Sequence, residues 1–90
     1  MIFTKKVTVT YANAEEQQGT PAHPFTSARW NKMQELILAE KTDGIVAGAP
    51  PTSVIKFVDE SSATEYLNYI LEAATTAGDI NIVTSTITDI

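Results

Sequence analysis

Three stretches predict an α+β domain in which an antiparallel sheet carries two helices on one face. From Ile2 to Tyr11 the chain alternates, with Phe3, Lys5, Val7, Val9 and Tyr11 on one side and Thr4, Lys6, Thr8 and Thr10 on the other. Period-two alternation with β-branched enrichment marks a strand with one buried face. From Ser53 to Leu71 a β-branched and aromatic run passes through an acidic corner into a helical stripe. Ile80 to Thr88, reading INIVTSTIT, has the composition of a closing strand.

Taken in order, the first strand covers Ile2–Tyr11. Lys5 is the polar residue on its apolar side, and near a strand end its stem can lie along the core while the ammonium reaches water. Ala12–Thr26 follows as a long irregular segment, since Gly19, Pro21 and Pro24 oppose a continuous helix. Segments of this length are often functional or mobile, and Glu15–Ala22 is expected to move more than either helix. Ser27 is placed to cap a helix from Ala28 to about Lys41, with Trp30, Met33, Leu36 and Ile37 apolar and Asp43-Gly44 as its stop.

Gly44–Ala49 reads as a short edge strand, and Pro50-Pro51-Thr52 turns the chain. Ser53–Asp59 forms the next strand. Ser62-Ala63-Thr64-Glu65 has capping-box spacing, and Ala63, Tyr66, Leu67, Ile70 and Ala74 then trace an apolar stripe to about Ala77. Gly78-Asp79 closes this helix, and Ile80–Thr88 completes the set. Phe57, Ile37, Ile70, Leu67 and Val7 are the expected core.

The order strand, helix, strand, strand, helix, strand resembles the ferredoxin-like βαββαβ plan. That resemblance implies a four-stranded antiparallel sheet with both helices on one face, over a single domain spanning residues 1–90. Val54-Ile55-Lys56-Phe57, with the acidic corner and Ser62-Ala63-Thr64-Glu65, resembles the third strand and second helix of RNA recognition motifs. Those domains stack bases on aromatic residues of the open face. Here the matching positions are Thr52 and Val54, and the first strand presents Thr4, Lys6, Thr8 and Thr10. Phe57-Val58-Asp59-Glu60 and the following helix are similar to antibiotic-biosynthesis-monooxygenase-like members of the dimeric α+β barrel family. That similarity implies pairing of bare sheet faces, or a small cofactor-light enzyme with a pocket between sheet and helices near the long loop, containing His23, Trp30 or Tyr11.

Composition narrows the function classes. The chain has 90 residues, is 43% hydrophobic and carries a formal net charge of −5. One domain of this length buries about 60–65% of its unfolded surface. An acidic chain lacking stacking aromatics is poorly suited to nucleic acid. There is no cysteine and one histidine, so thiol chemistry and multi-histidine metal sites are excluded. No apolar run nears the ~20 residues of a membrane span, and the N-terminus lacks a signal-peptide pattern. The expectation is a soluble cytoplasmic protein with neither cofactor nor metal. Neither a Gly-rich phosphate loop nor a nucleophile elbow is present.

The remaining candidates for function are few. His23, between Pro21 and Pro24, is expected to be an exposed loop residue, with general-base work as the alternative. Trp30 is expected in the core with Arg29 solvated, or else the two line a pocket for a planar ligand. Lys6 and Lys56 should share the open face with Thr8, Val54 and Val58, where they would solubilise the sheet or bind a small anion or an acidic partner. Val83 and Ile87 are further candidates for that face, depending on the phase of the last strand. The reading that follows is a small non-enzymatic binding or assembly protein, a homodimer formed through the open sheet face.

Overall fold

The computed structural model describes residues 2–12, 23–36, 44–46 and 51–90, with only the backbone of 44–46. It shows strand β1 (Lys5–Tyr11), helix α1 (Pro24–Leu36), the short strand β2 (Gly44–Val46), strand β3 (Thr52–Phe57), helix α2 (Glu60–Ala77) and strand β4 (Ile82–Asp89). The body is a three-stranded antiparallel sheet with β1 in the middle, joined to β3 on one side and β4 on the other. The three residues of β2 lie in antiparallel register beside β3, Ile45 opposite Ser53. The expected strand residues 47–49, the expected helix residues 37–41 and the segment 15–22, whose mobility is an expectation, lie outside the described residues.

The alternation of β1 gives it one buried face. Val7, Val9 and Tyr11 are buried, and they meet Ile55, Phe57 and Ser53, the buried residues of β3. Lys5, on the same side at the strand end, pairs with Asp89 directly across the ladder. This is the arrangement its position called for, an ammonium reaching out over the edge of the core.

Helix α2 carries the expected stripe. Ala63, Tyr66, Ile70 and Ala74 are buried, Leu67 packs at the margin, and the Phe57 and Tyr66 rings lie 5.0 Å apart. Each fully buried large side chain contributes about 1.5–3 kcal/mol, so this stripe fixes the helix on the sheet. Its start differs from the capping box expected at Ser62. Asp59 is the cap, extended at φ −150° and ψ 170°, and its carboxylate accepts from the Ser62 amide at 2.8 Å. A carboxylate three residues upstream satisfies the orphan amide and complements the helix dipole, leaving Ser62 inside the first turn.

Helix α1 also starts earlier than expected, at Pro24. Proline is favoured at the first helical position, where its missing N–H costs nothing. This earlier start sets the phase. Phe25, Arg29 and Met33 face inward, and the Phe25 ring meets Tyr11 edge-on at 6.0 Å between centroids. Trp30, expected in the core, is therefore exposed (45%), and Arg29, expected in water, is buried (7%). Of the five predicted core residues, Val7, Phe57 and Ile70 are buried together and Leu67 packs against them. Ile37 lies outside the described residues.

Candidate functional site

The sheet face opposite the helices is bare among the described residues, and backbone pairing dictates what it presents. The Tyr11 N–H donates to Pro51 at 2.9 Å, so odd residues of β1 bond to β3. The Ile90 N–H donates to Thr4 at 3.2 Å and the Ala12 N–H to Asn81 at 3.0 Å, so even residues of β1 bond to β4. The even residues point their side chains to the open face.

Three rows run across that face. Thr52, Thr10 and Thr84 form one end, Val54, Thr8 and Thr86 the middle, and Lys56, Lys6 and Thr88 the other end. The Thr10 and Thr52 hydroxyls lie 3.4 Å apart. Lys6 and Lys56 are direct Cα partners in a non-hydrogen-bonded pair, the type whose side chains stand closest. Like charges set opposite each other destabilise a ladder. Among the described residues neither lysine has an ion pair, whereas Lys5 is held by Asp89, and Lys32 by Glu35 at 3.3 Å and Glu65 at 3.2 Å. The paired lysines are accordingly held above the ordinary ammonium range, Lys5 foremost by its bond to Asp89 and Lys32 by its bond to Glu65.

Two expectations about this face need correcting. Ile87 turns inward opposite Val7 and packs at the core margin, because β4 presents Thr84, Thr86 and Thr88 outward. Val83 is exposed, but it lies where the ladder shifts register between Thr10 and Tyr11, outside the regular rows. The apolar share of the face is therefore Val54, with half-buried Val58 just beyond the strand end. The face is one of hydroxyls, with a cationic end.

His23 lies away from this face. Its Nε2 is 2.9 Å from the Asp79 carboxylate, and its Nδ1 accepts the Phe25 N–H at 3.1 Å. The two bonds together require the neutral tautomer with the proton on Nε2. The imidazole thus caps α1 and ties it to the corner after α2, with both nitrogens occupied. Donation from His23 is the main reason the Asp79 carboxyl is held below the ordinary carboxylate range. An orienting carboxylate beside a histidine suggests base catalysis, but here the nitrogen that would take a proton is bonded to the backbone.

Trp30 and Arg29 do line a common cleft, with Thr26, Ser27 and Asn31, of about 300 Å³. A shallower groove of about 430 Å³ runs between the helices past Pro24, Ala28, Tyr69 and Glu72, and Lys32 Nζ lies over the Tyr69 ring at 4.7 Å. His23 lines neither hollow among the described residues, and Tyr11 is buried. The space between sheet and helices is taken by Tyr11, Phe25, Met33, Phe57 and Tyr66. No group of three or more metal-ligating side chains occurs among the described residues, and none of the described helices is long and apolar enough to cross a membrane.

Sequence reasoning placed Lys6, Thr8, Val54 and Lys56 on the open face, where they come together with Thr10 and Thr52. It missed the threonine row on β4. The alternation of Thr84, Thr86 and Thr88 was available as a signal, because any strand phase that buries Ile87 exposes all three. Comparison of the chain with models of known families, with curated proteins and with solved structures finds no match.

Proposed function

We propose that the domain has the ferredoxin-like plan, with Gly44–Val46 as its fourth strand, and that it is a non-enzymatic binding and assembly protein. Its working surface is the open sheet face, through which it pairs with a second copy. The observation that carries this reading is the face itself: three straight rows in which threonines predominate, with Val54 at the middle and Lys6 and Lys56 at one end, bare among the described residues.

The lysines set the geometry of the pairing. A twofold parallel to the strands would bring four ammoniums together, which is costly without carboxylates. A twofold across the strands instead lays the Lys6–Lys56 end of each copy over the Thr10–Thr52–Thr84 end of the other. Threonine hydroxyls there can accept the ammonium hydrogens. The symmetry is the commonest closed one. At the rim the same lysine pair is suited to a small oxyanion or an acidic partner residue.

Among the described residues side chains fill the space between sheet and helices, which supports this reading over a cofactor-light enzyme with its pocket there. Light scattering behind size exclusion at micromolar concentration tests the pairing. The wild-type protein should elute as a dimer, and Thr8→Arg, which sets a bulky cation at the centre of the face, should yield a folded monomer. A wild-type monomer, or a dimer indifferent to Thr8→Arg, would falsify it.

A further inference from the structure

We infer that β4 is a second interaction surface, an open sheet edge that pairs antiparallel with β4 of another copy. The inference rests on backbone directions and residue pattern, independently of the open face. Because even residues of β1 bond to Thr84, Thr86 and Thr88, the alternate residues Ser85, Ile87 and Asp89 turn their N–H and C=O groups away from β1. Among the described residues β4 ends the strand order on its side of the sheet, so these groups face outward from it.

Natural sheets blunt such edges with short strands, lysine, proline or bulges. At the opposite edge the described residues of β2 are three, Gly44–Val46. β4 runs for eight residues, without proline or lysine. Its irregularity lies at the Val83 end and its one charge, Asp89, at the other. Between them Thr84-Ser85-Thr86-Ile87-Thr88 is uncharged, β-branched at four of five positions, and unguarded.

The pattern selects a second copy as the occupant. Antiparallel pairing centred on Thr86 overlaps the whole strand with its twin. It sets Thr86 opposite Thr86, Thr84 opposite Thr88, and Ser85 opposite Ile87. Every open-face pair is then threonine on threonine, a favourable cross-strand match. Asp89 falls opposite exposed Val83, and the two Asp89 residues lie at opposite ends. The outward backbone groups of Ser85 and Ile87 bond to each other across the twofold, as in strand addition generally. The two three-stranded bodies become one continuous sheet, and their threonine rows become one field.

A chain without cysteine allows a direct test. Thr86 would form a non-hydrogen-bonded pair with its own twin, Cα atoms about 4.5 Å apart, within reach of a disulfide. Thr86→Cys under mild oxidation should therefore give a covalent dimer of twice the monomer mass, and Thr64→Cys, on the exposed side of α2, should not. Adding Ser85→Pro removes an outward N–H while sparing the ladder to β1, and should abolish the crosslink. Circular dichroism checks that this variant remains folded. The crosslink should persist in the Thr8→Arg background, which separates this edge from the open face. Crosslinking no greater than at Thr64→Cys, or persisting in folded Ser85→Pro, overturns the inference.

Discussion

His23 shows how one side chain can be read two ways from sequence and only one way from geometry. Its environment supplied the carboxylate that a catalytic histidine needs, yet the Phe25 amide occupies the other nitrogen. Its work is structural. His23→Ala should cost about 1 kcal/mol in a urea melt, the usual worth of a helix cap, and should fray the first turn of α1 before the rest unfolds. The bonded Asp79 adds a pH signature. Its carboxyl is held below the ordinary value in the folded protein. The resulting stabilisation is present above about pH 4, the unfolded range, and is lost as pH falls through the folded value. Asp79→Asn should therefore flatten the acid limb of the stability profile, and an unchanged limb would count against the bond.

Among the elements, α2 was the most legible because its signals agree. The stripe from Ala63 to Ala74 and the Gly78 stop both point to one helix, and only the cap moved, from Ser62 to Asp59. Gly78 sits at φ 81°, and its N–H closes on the Ala74 carbonyl at 3.1 Å. A Cβ there would touch nothing within 4 Å, so the cost of Gly78→Ala is backbone strain alone. That cost should be about 1–2 kcal/mol by chemical denaturation. Helix α1 was less legible. Pro24 looked like a breaker when it is a first-turn residue, and shifting the start moved Trp30 from core to surface and Arg29 the other way. The capping bond from Phe25 to His23 spans two residues, but the Asp79 carboxylate that holds the other ring nitrogen lies 56 residues away, which no local pattern encodes. The strands fall between these cases. Alternation gave the phase of β1 and β3 and therefore most of the open face, but the register that sets Lys6 against Lys56 is a property of pairing.

At the scale of the whole molecule, stability rests on one shared interior. Phe57 lies at its centre, fully buried against Tyr66, with Val7, Ile55 and Ile70 in the same cluster. Phe57→Ala should cost about 3–5 kcal/mol, a large share of what a domain this small possesses. A loss below about 1 kcal/mol in a urea melt would mean the ring contributes little to the core. The order of the sheet also bears on how the molecule is made. β1, the first strand in the chain, lies between β3 and β4, and Lys5 finds Asp89 at the far end of the ladder. Such distant pairings slow folding, because a long loop must close before contacts reward it. During synthesis β1 can meet β3 and the helices first, but its other edge stays unpaired until β4 has been made. At about 5–20 residues per second that interval lasts several seconds, during which a chaperone or a neighbouring nascent chain has access to that edge.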